Sequence, residues 1–107
     1  MSTNLAWFYI VIAGFMEPIW VYLFHKSDGG TKIIPTVSAL LVIALSFMFF
    51  TFSLRGISIN TAYVVWVGIG ALSVAIMGFI VEDVLTFQKF LFISMILTGV
   101  VGLRYFQ

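Results

Sequence analysis

The chain is predicted to be an all-α integral membrane protein with four transmembrane helices. Three observations carry this. Of its 107 residues, 63% are hydrophobic and 8% are charged, and mean hydropathy is +1.20. A soluble domain carries about 25% charged residues, too many for this chain to imitate. The apolar residues gather into four runs, each long enough for a helix to cross a hydrocarbon core roughly 30 Å thick. Short polar stretches separate the runs, so residues 1-107 are expected to form one four-helix membrane domain with no soluble part.

Composition also excludes several functions. A net charge of +1 makes no case for nucleic-acid binding. With no cysteine there is no disulfide, thiol chemistry or cysteine metal site. One histidine and scattered acids argue against a metal cluster, and no cofactor is expected. No nucleophile–base pair is visible, so the chain is not expected to be an enzyme. Nothing suggests the carbonyl filter or charged ring of a channel.

The first span is expected over residues 5-24, LAWFYIVIAGFMEPIWVYLF. It has no basic leader and no small-residue cleavage site, so it reads as a retained helix and not a signal peptide. Its one charge is Glu17. A carboxylate at that depth costs about 3 kcal/mol or more and marks a functional site by default. The plain alternative is a neutral, hydrogen-bonded packing acid. Gly14 and Trp20 share the helical face of Glu17, one turn before and one turn after it. Gly14 permits close approach, and Trp20 offers an aromatic face. Pro18 removes a backbone donor and crowds the carbonyl four residues back, that of Gly14. It is either a cation-facing feature or a kink satisfied by neighbouring helices.

His25 to Lys32 form a polar loop whose Gly29-Gly30 pair marks a turn. The second span is expected over 33-54, with Pro35 in its first turn and Ser46 as an isolated hydroxyl mid-span. After a loop of about six residues, the third span is expected over 59-81. It carries Tyr63 and Trp66, which could face a site or form an interfacial aromatic belt. Gly68 and Gly70 are a hinge or a place where helices touch. Glu82-Asp83 form the third loop. The fourth span is expected over 87-105. Its small residues Ser94, Thr98, Gly99 and Gly102 suit close packing, read here as an oligomer contact.

Four spans place both termini and the second loop on one side. Basic residues number three on the side of loops one and three (Lys26, Lys32, Lys89) and two on the other (Arg55, Arg104). That margin fixes no orientation under the positive-inside rule, so insertion both ways round is open. Four helices are too few to enclose an aqueous path, whereas an antiparallel pair would form an inverted-topology dimer. Two Glu17 carboxylates would then meet near the midplane and release protons in coupled steps. They could equally neutralise one organic cation, with Trp20, Tyr63 and Trp66 as cation–π faces. Competition between cation and protons for one pair of acids yields exchange when the site opens alternately to each side.

These residues resemble the small multidrug resistance transporters over essentially the whole chain. The likeness rests on the length, the four spans and the lone acid of the first span. It rests also on the third-span run Thr61-Ala62-Tyr63-Val64-Val65-Trp66-Val67-Gly68-Ile69-Gly70 and on Ser27-Asp28-Gly29 after the first span. Trp20, three residues after the acid, and Ser46 are similar to the guanidinium-exporter branch. The resemblance implies a multi-pass protein of the inner (plasma) membrane. It implies an antiparallel dimer exporting guanidinium, alkyl guanidiniums or quaternary ammonium compounds in exchange for protons. Glu17 would be the shared binding residue, with Trp20, Ser46, Tyr63 and Trp66 lining the site and Ser46 hydrogen-bonded to Glu17.

The chain departs from the family pattern at several points. His25 stands where a lysine is usual. Ser58-Ile59-Asn60 replaces a Pro-Ile/Met-Gly run, and Glu82-Asp83-Val84 replaces a Lys-Glu-Pro-like loop. Pro18 after the acid is unusual. Such drift resembles members encoded as pairs, so one subunit of a heterodimeric exporter is an alternative. A non-transporting membrane scaffold or a lipid-carrier flippase are readings from other classes.

Overall fold

The computed structural model describes residues 2–82 and 86–106 of the chain. All regular structure among them is helical: α1 (Thr3–Phe15), α2 (Glu17–Lys26), α3 (Ile33–Ser53), α4 (Ile59–Glu82) and α5 (Phe87–Phe106). Thr3–Lys26, Ile33–Ser53, Ile59–Val81 and Phe87–Phe106 are each long and apolar enough to cross a membrane. At about 1.5 Å per residue, even the shortest of these reaches roughly 30 Å.

The first span is two helices where the sequence suggested one. Ser2 caps α1, its hydroxyl accepting the Leu5 N–H at 3.2 Å. The helix then stops at Met16, whose N–H still reaches back to Ile12 O at 3.1 Å. The Met16 carbonyl starts the next segment, accepting from Ile19 N (3.1 Å) and Trp20 N (3.3 Å). The cause is local. Pro18 has no N–H to continue the α1 ladder, but it is well suited to the first turn of a new helix. Glu17 is thereby the first residue of α2.

Ser27 ends α2 and organises the loop. It is buried, donates its hydroxyl to Phe24 O at 2.6 Å and accepts the Gly30 N–H at 3.1 Å. Asp28, Gly29 and Gly30 all have positive φ (53°, 71° and 86°), which turns the chain back. Two of the three are glycines, where that conformation carries no steric penalty. Asp is one of the few other residue types that tolerates it. At the start of α4, the Asn60 side chain accepts from Ser58 Oγ (2.9 Å) and Thr61 N (2.8 Å). The third loop was expected at Glu82-Asp83. Glu82 ends α4, and Asp83 lies outside the described residues.

The packed core joins α1 to α4. Ala6, Trp7, Ile10, Ile57, Ala62, Val65 and Ile69 are buried together, with Phe50, Leu54, Trp66, Val100 and Leu103 against them. Small residues let these backbones approach: a Cβ on Gly56 would meet the Ala6 methyl at 2.8 Å. α1 and α2 both lie against α3 and α4, while the backbone of α5 approaches α4 alone. α2 and α5 bury none of their residues completely. The outer faces are apolar, as at Phe8, Ile34, Leu41 and Met95. Such a surface is a liability in water and the expected one in lipid. Arg104 lies 4.9 Å from the Trp7 ring centroid and donates to Asn4 Oδ1 at 3.1 Å, tying the end of α5 to the start of α1. The Cα trace is a slab of 41 × 34 × 16 Å.

Candidate functional site

The site is built where the first span breaks. Because α2 starts at Glu17, the carboxylate projects from the break toward α4. It comes to rest on the backbone of Gly70: a side chain built there would coincide with Glu17 Oε2. One turn earlier, Gly14 plays the complementary part, since a Cβ on it would meet Ile69 Cγ2 at 2.7 Å. Gly14 and Glu17 therefore face consecutive residues of α4.

Among the described residues nothing donates a hydrogen bond to the Glu17 carboxylate, and no basic side chain pairs with it. Ser46 and Trp66 have made their commitments elsewhere. Ser46 is fully buried; its hydroxyl donates to Ala13 O at 2.9 Å and accepts the Trp66 Nε1–H at 3.2 Å. The resemblance led us to expect Ser46 on Glu17. A hydroxyl has one proton, and here the carbonyl at the end of α1 takes it. That carbonyl lies at a helix break, where a cross-helix serine is a standard way to satisfy the backbone inside a membrane. Ser46 thus stitches the break to α3, and Trp66 extends the stitch to α4.

The aromatic side chains fall into two groups. Trp66 is stacked on Phe50 (centroids 4.7 Å, 30° between planes), edge-on to Phe47 (5.3 Å, 74°) and edge-on to Tyr63 (6.0 Å, 70°). Tyr63 is more than half exposed. Trp20 stands apart, edge-on to Phe24 of its own helix at 6.1 Å. No ring contact among the described residues links Trp20 to Tyr63 or Trp66. The Trp20 Nε1 is buried without a hydrogen-bond partner among them. A buried N–H left in that state costs about 1–3 kcal/mol.

Sequence reasoning did not single out Ala13, Phe47, Phe50 or Ile69. Phe50 follows Ser46 by four residues and follows Phe47 by three, helical spacings that could have been read as neighbouring positions. Ala13 acts through its carbonyl, for which no side-chain signal exists. Gly68 faces away from the carboxylate: a Cβ there would meet Val100 Cγ2 of α5 at 2.6 Å. On α5, Ser94 and Thr98 spend their hydroxyls on their own helix, at Phe90 O and Ser94 O (both 2.9 Å). Gly99 and Gly102 line an apolar groove of about 670 Å³ between α4 and α5, with Tyr63, Val67 and Val100. Ser94 lines a smaller one of about 320 Å³ further along the same seam. Among the described residues no group of His, Cys, Asp and Glu could hold a metal ion.

Comparison with known proteins agrees with this architecture. Residues 5–96 match the family model described as Small Multidrug Resistance protein. A Guanidinium exporter of Yersinia pseudotuberculosis serotype I (strain IP32953) is 33% identical, over 94% of this chain and 97% of its own length. Guanidinium exporters of Proteus vulgaris and Citrobacter freundii are 29% and 28% identical, again over 94% of this chain and over 97% and 96% of theirs. With four apolar helices of spanning length, the matches describe a multi-pass transport protein of the inner membrane. Through a match that runs over most of its length, the chain belongs to the small multidrug resistance family.

Proposed function

We propose that the protein exports guanidinium or a small alkyl guanidinium in exchange for protons, with Glu17 as the group both compete for. One observation carries this reading. Glu17 lies within a membrane span, and no hydrogen bond or ion pair satisfies it among the described residues of its own chain. A carboxylate in that position takes a proton, a cation or a partner from outside the chain. The names of the relatives supply the cargo class: guanidinium is planar and carries its charge with N–H donors that match a carboxylate. Indole and phenol faces suit the same ion through cation–π attraction.

We propose further that two copies work as an antiparallel pair. The slab is only 16 Å through its thinnest direction, two helices deep at a spacing of about 8–10 Å. More protein on the open side of Glu17 is needed before a cation can be surrounded. With two copies inverted, two Glu17 carboxylates share one site, and their protons leave in coupled steps as the cation enters. Movement between inward-open and outward-open arrangements then exchanges cation for proton, since neither state holds both at once.

The test uses the protein alone in liposomes. Guanidinium added to purified parent protein should release protons, and a proton gradient should drive guanidinium uptake. Glu17→Gln should abolish both while leaving the melting profile in detergent intact. Proton release that persists in Glu17→Gln overturns the reading. Inactivity of the parent alone, with activity recovered on adding a sister chain, would replace the self-pair by a heterodimer.

A further inference from the structure

Gly68, Ile69 and Gly70 are consecutive on α4, yet each meets a different element. Gly68 is against Val100 of α5, Ile69 is against Gly14 of α1, and Gly70 is under Glu17 of α2. The two glycines therefore do different work. A methyl at 68 meets Val100 on the side of α4 away from the carboxylate, so what must give there is the packing of α5. A methyl at 70 occupies the place of Glu17 Oε2 itself, and Glu17 Cγ would be 3.0 Å from it. The carboxyl end of Glu17 is flexible and can turn aside. Its backbone begins α2, however, and the break behind it is held by the Met16 carbonyl and the Ser46–Ala13 bond, so a methyl at 70 relocates the carboxylate and not the helix.

We propose that Gly70 is the positioning residue for the Glu17 carboxylate: the missing side chain is a seat in α4 that fixes where the acid presents itself to cation and proton. The glycine acts here through the space it leaves; its backbone is ordinary helix. This inference rests on Glu17 being the exchange residue, but it is tested on the carboxyl group itself. A seat of this kind sets binding geometry, and an error of about 1 Å at a charged contact costs as much as a hundredfold in function.

The experiment compares Gly70→Ala, Gly68→Ala, Glu17→Asp and the Gly70→Ala/Glu17→Asp double variant. Carboxyl titration of position 17 is followed by infrared or 13C NMR without cargo, and guanidinium affinity by proton release. Gly70→Ala should shift the titration midpoint by about half a pH unit or more and weaken guanidinium at least about tenfold. Gly68→Ala puts the same methyl on the same helix and should leave the titration midpoint at its parent value. Aspartate is shorter by one methylene and makes room for the methyl. The double variant should therefore bind guanidinium more tightly than Gly70→Ala, or fold where Gly70→Ala does not. A parent-like titration in Gly70→Ala overturns the proposal. So does a double variant no better than Gly70→Ala in binding and in folding. A parent protein that releases no protons to guanidinium defeats the exchange reading instead, and the cargo-free titration still decides the role of Gly70.

Discussion

The Ser46 hydroxyl on α3 donates to the Ala13 carbonyl at the end of α1, 2.9 Å away and fully buried. The same oxygen receives the Trp66 indole N–H at 3.2 Å. One atom thus joins three helices at the level of the break. Single interhelical hydrogen bonds in membrane proteins are worth about 0.6 kcal/mol on average. Here removal strands the buried Trp66 indole N–H and leaves the Ala13 carbonyl with the Met16 N–H alone, at 3.3 Å. Ser46→Ala is expected to cost about 1–2 kcal/mol, within the range for leaving buried groups unsatisfied. Denaturant unfolding in mixed micelles measures it, and a loss under the single-bond average would mean that the two groups find other partners.

The two tryptophans should respond differently to the same substitution. Trp66→Phe keeps a ring to stack on Phe50 but removes the donor to Ser46, so a loss of about 0.5–1 kcal/mol of stability is expected. Trp20→Phe removes a buried N–H that has no partner among the described residues, so stability should hold at the parent's level or rise by up to about 1–3 kcal/mol. Its guanidinium affinity should fall modestly, about two- to fivefold, because the phenyl face attracts cations less than indole does. Paired melting and binding measurements separate the two effects.

The four spans were legible because each apolar run is long enough to be nothing else, and Glu17 was legible because it is the only charge inside the first. Pro18 announced a disturbance, but whether a kink or a full break was open. The break at Met16 depends on hydrogen bonds that sequence does not display. The Gly29-Gly30 turn could be read from its residues; the burial of Ser27 and the positive φ of Asp28 could not. Least legible were the contacts between spans. That Glu17 rests on Gly70 and that Ser46 chooses the Ala13 carbonyl are consequences of how the helices are rotated. The apolar pattern constrains rotation weakly when lipid and core are equally apolar. Resemblance offered Ser46 to the carboxylate, and a backbone carbonyl took the proton.

Pro18→Ala tests the cause of the break. The new N–H can continue the ladder from α1, so α1 and α2 should fuse. Amide exchange at Ile19 and Trp20, now bonded to the Met16 carbonyl, should slow about tenfold or more as the local opening becomes less favourable. Fusion rotates Glu17 relative to Gly70, and cation exchange should slow even as the helix is stabilised. Unchanged amide exchange would show that the break is held by tertiary contacts and not by the proline.

Gly68→Ala probes how α5 is held, since its backbone approaches only α4. The added methyl would lie 2.6 Å from Val100 Cγ2. Valine is stiff at its first torsion, so α5 must shift slightly or the side chain must leave its preferred rotamer. Overpacking of this size costs about 1–3 kcal/mol. Val100→Ala removes the opposing methyls, and the double variant should recover most of the lost stability. The two effects should couple by about 0.5 kcal/mol or more, as expected for side chains in contact. A thermal melt of the four proteins in one detergent gives the coupling. Simple additivity would mean that residue 68 and α5 do not touch in the assembled protein.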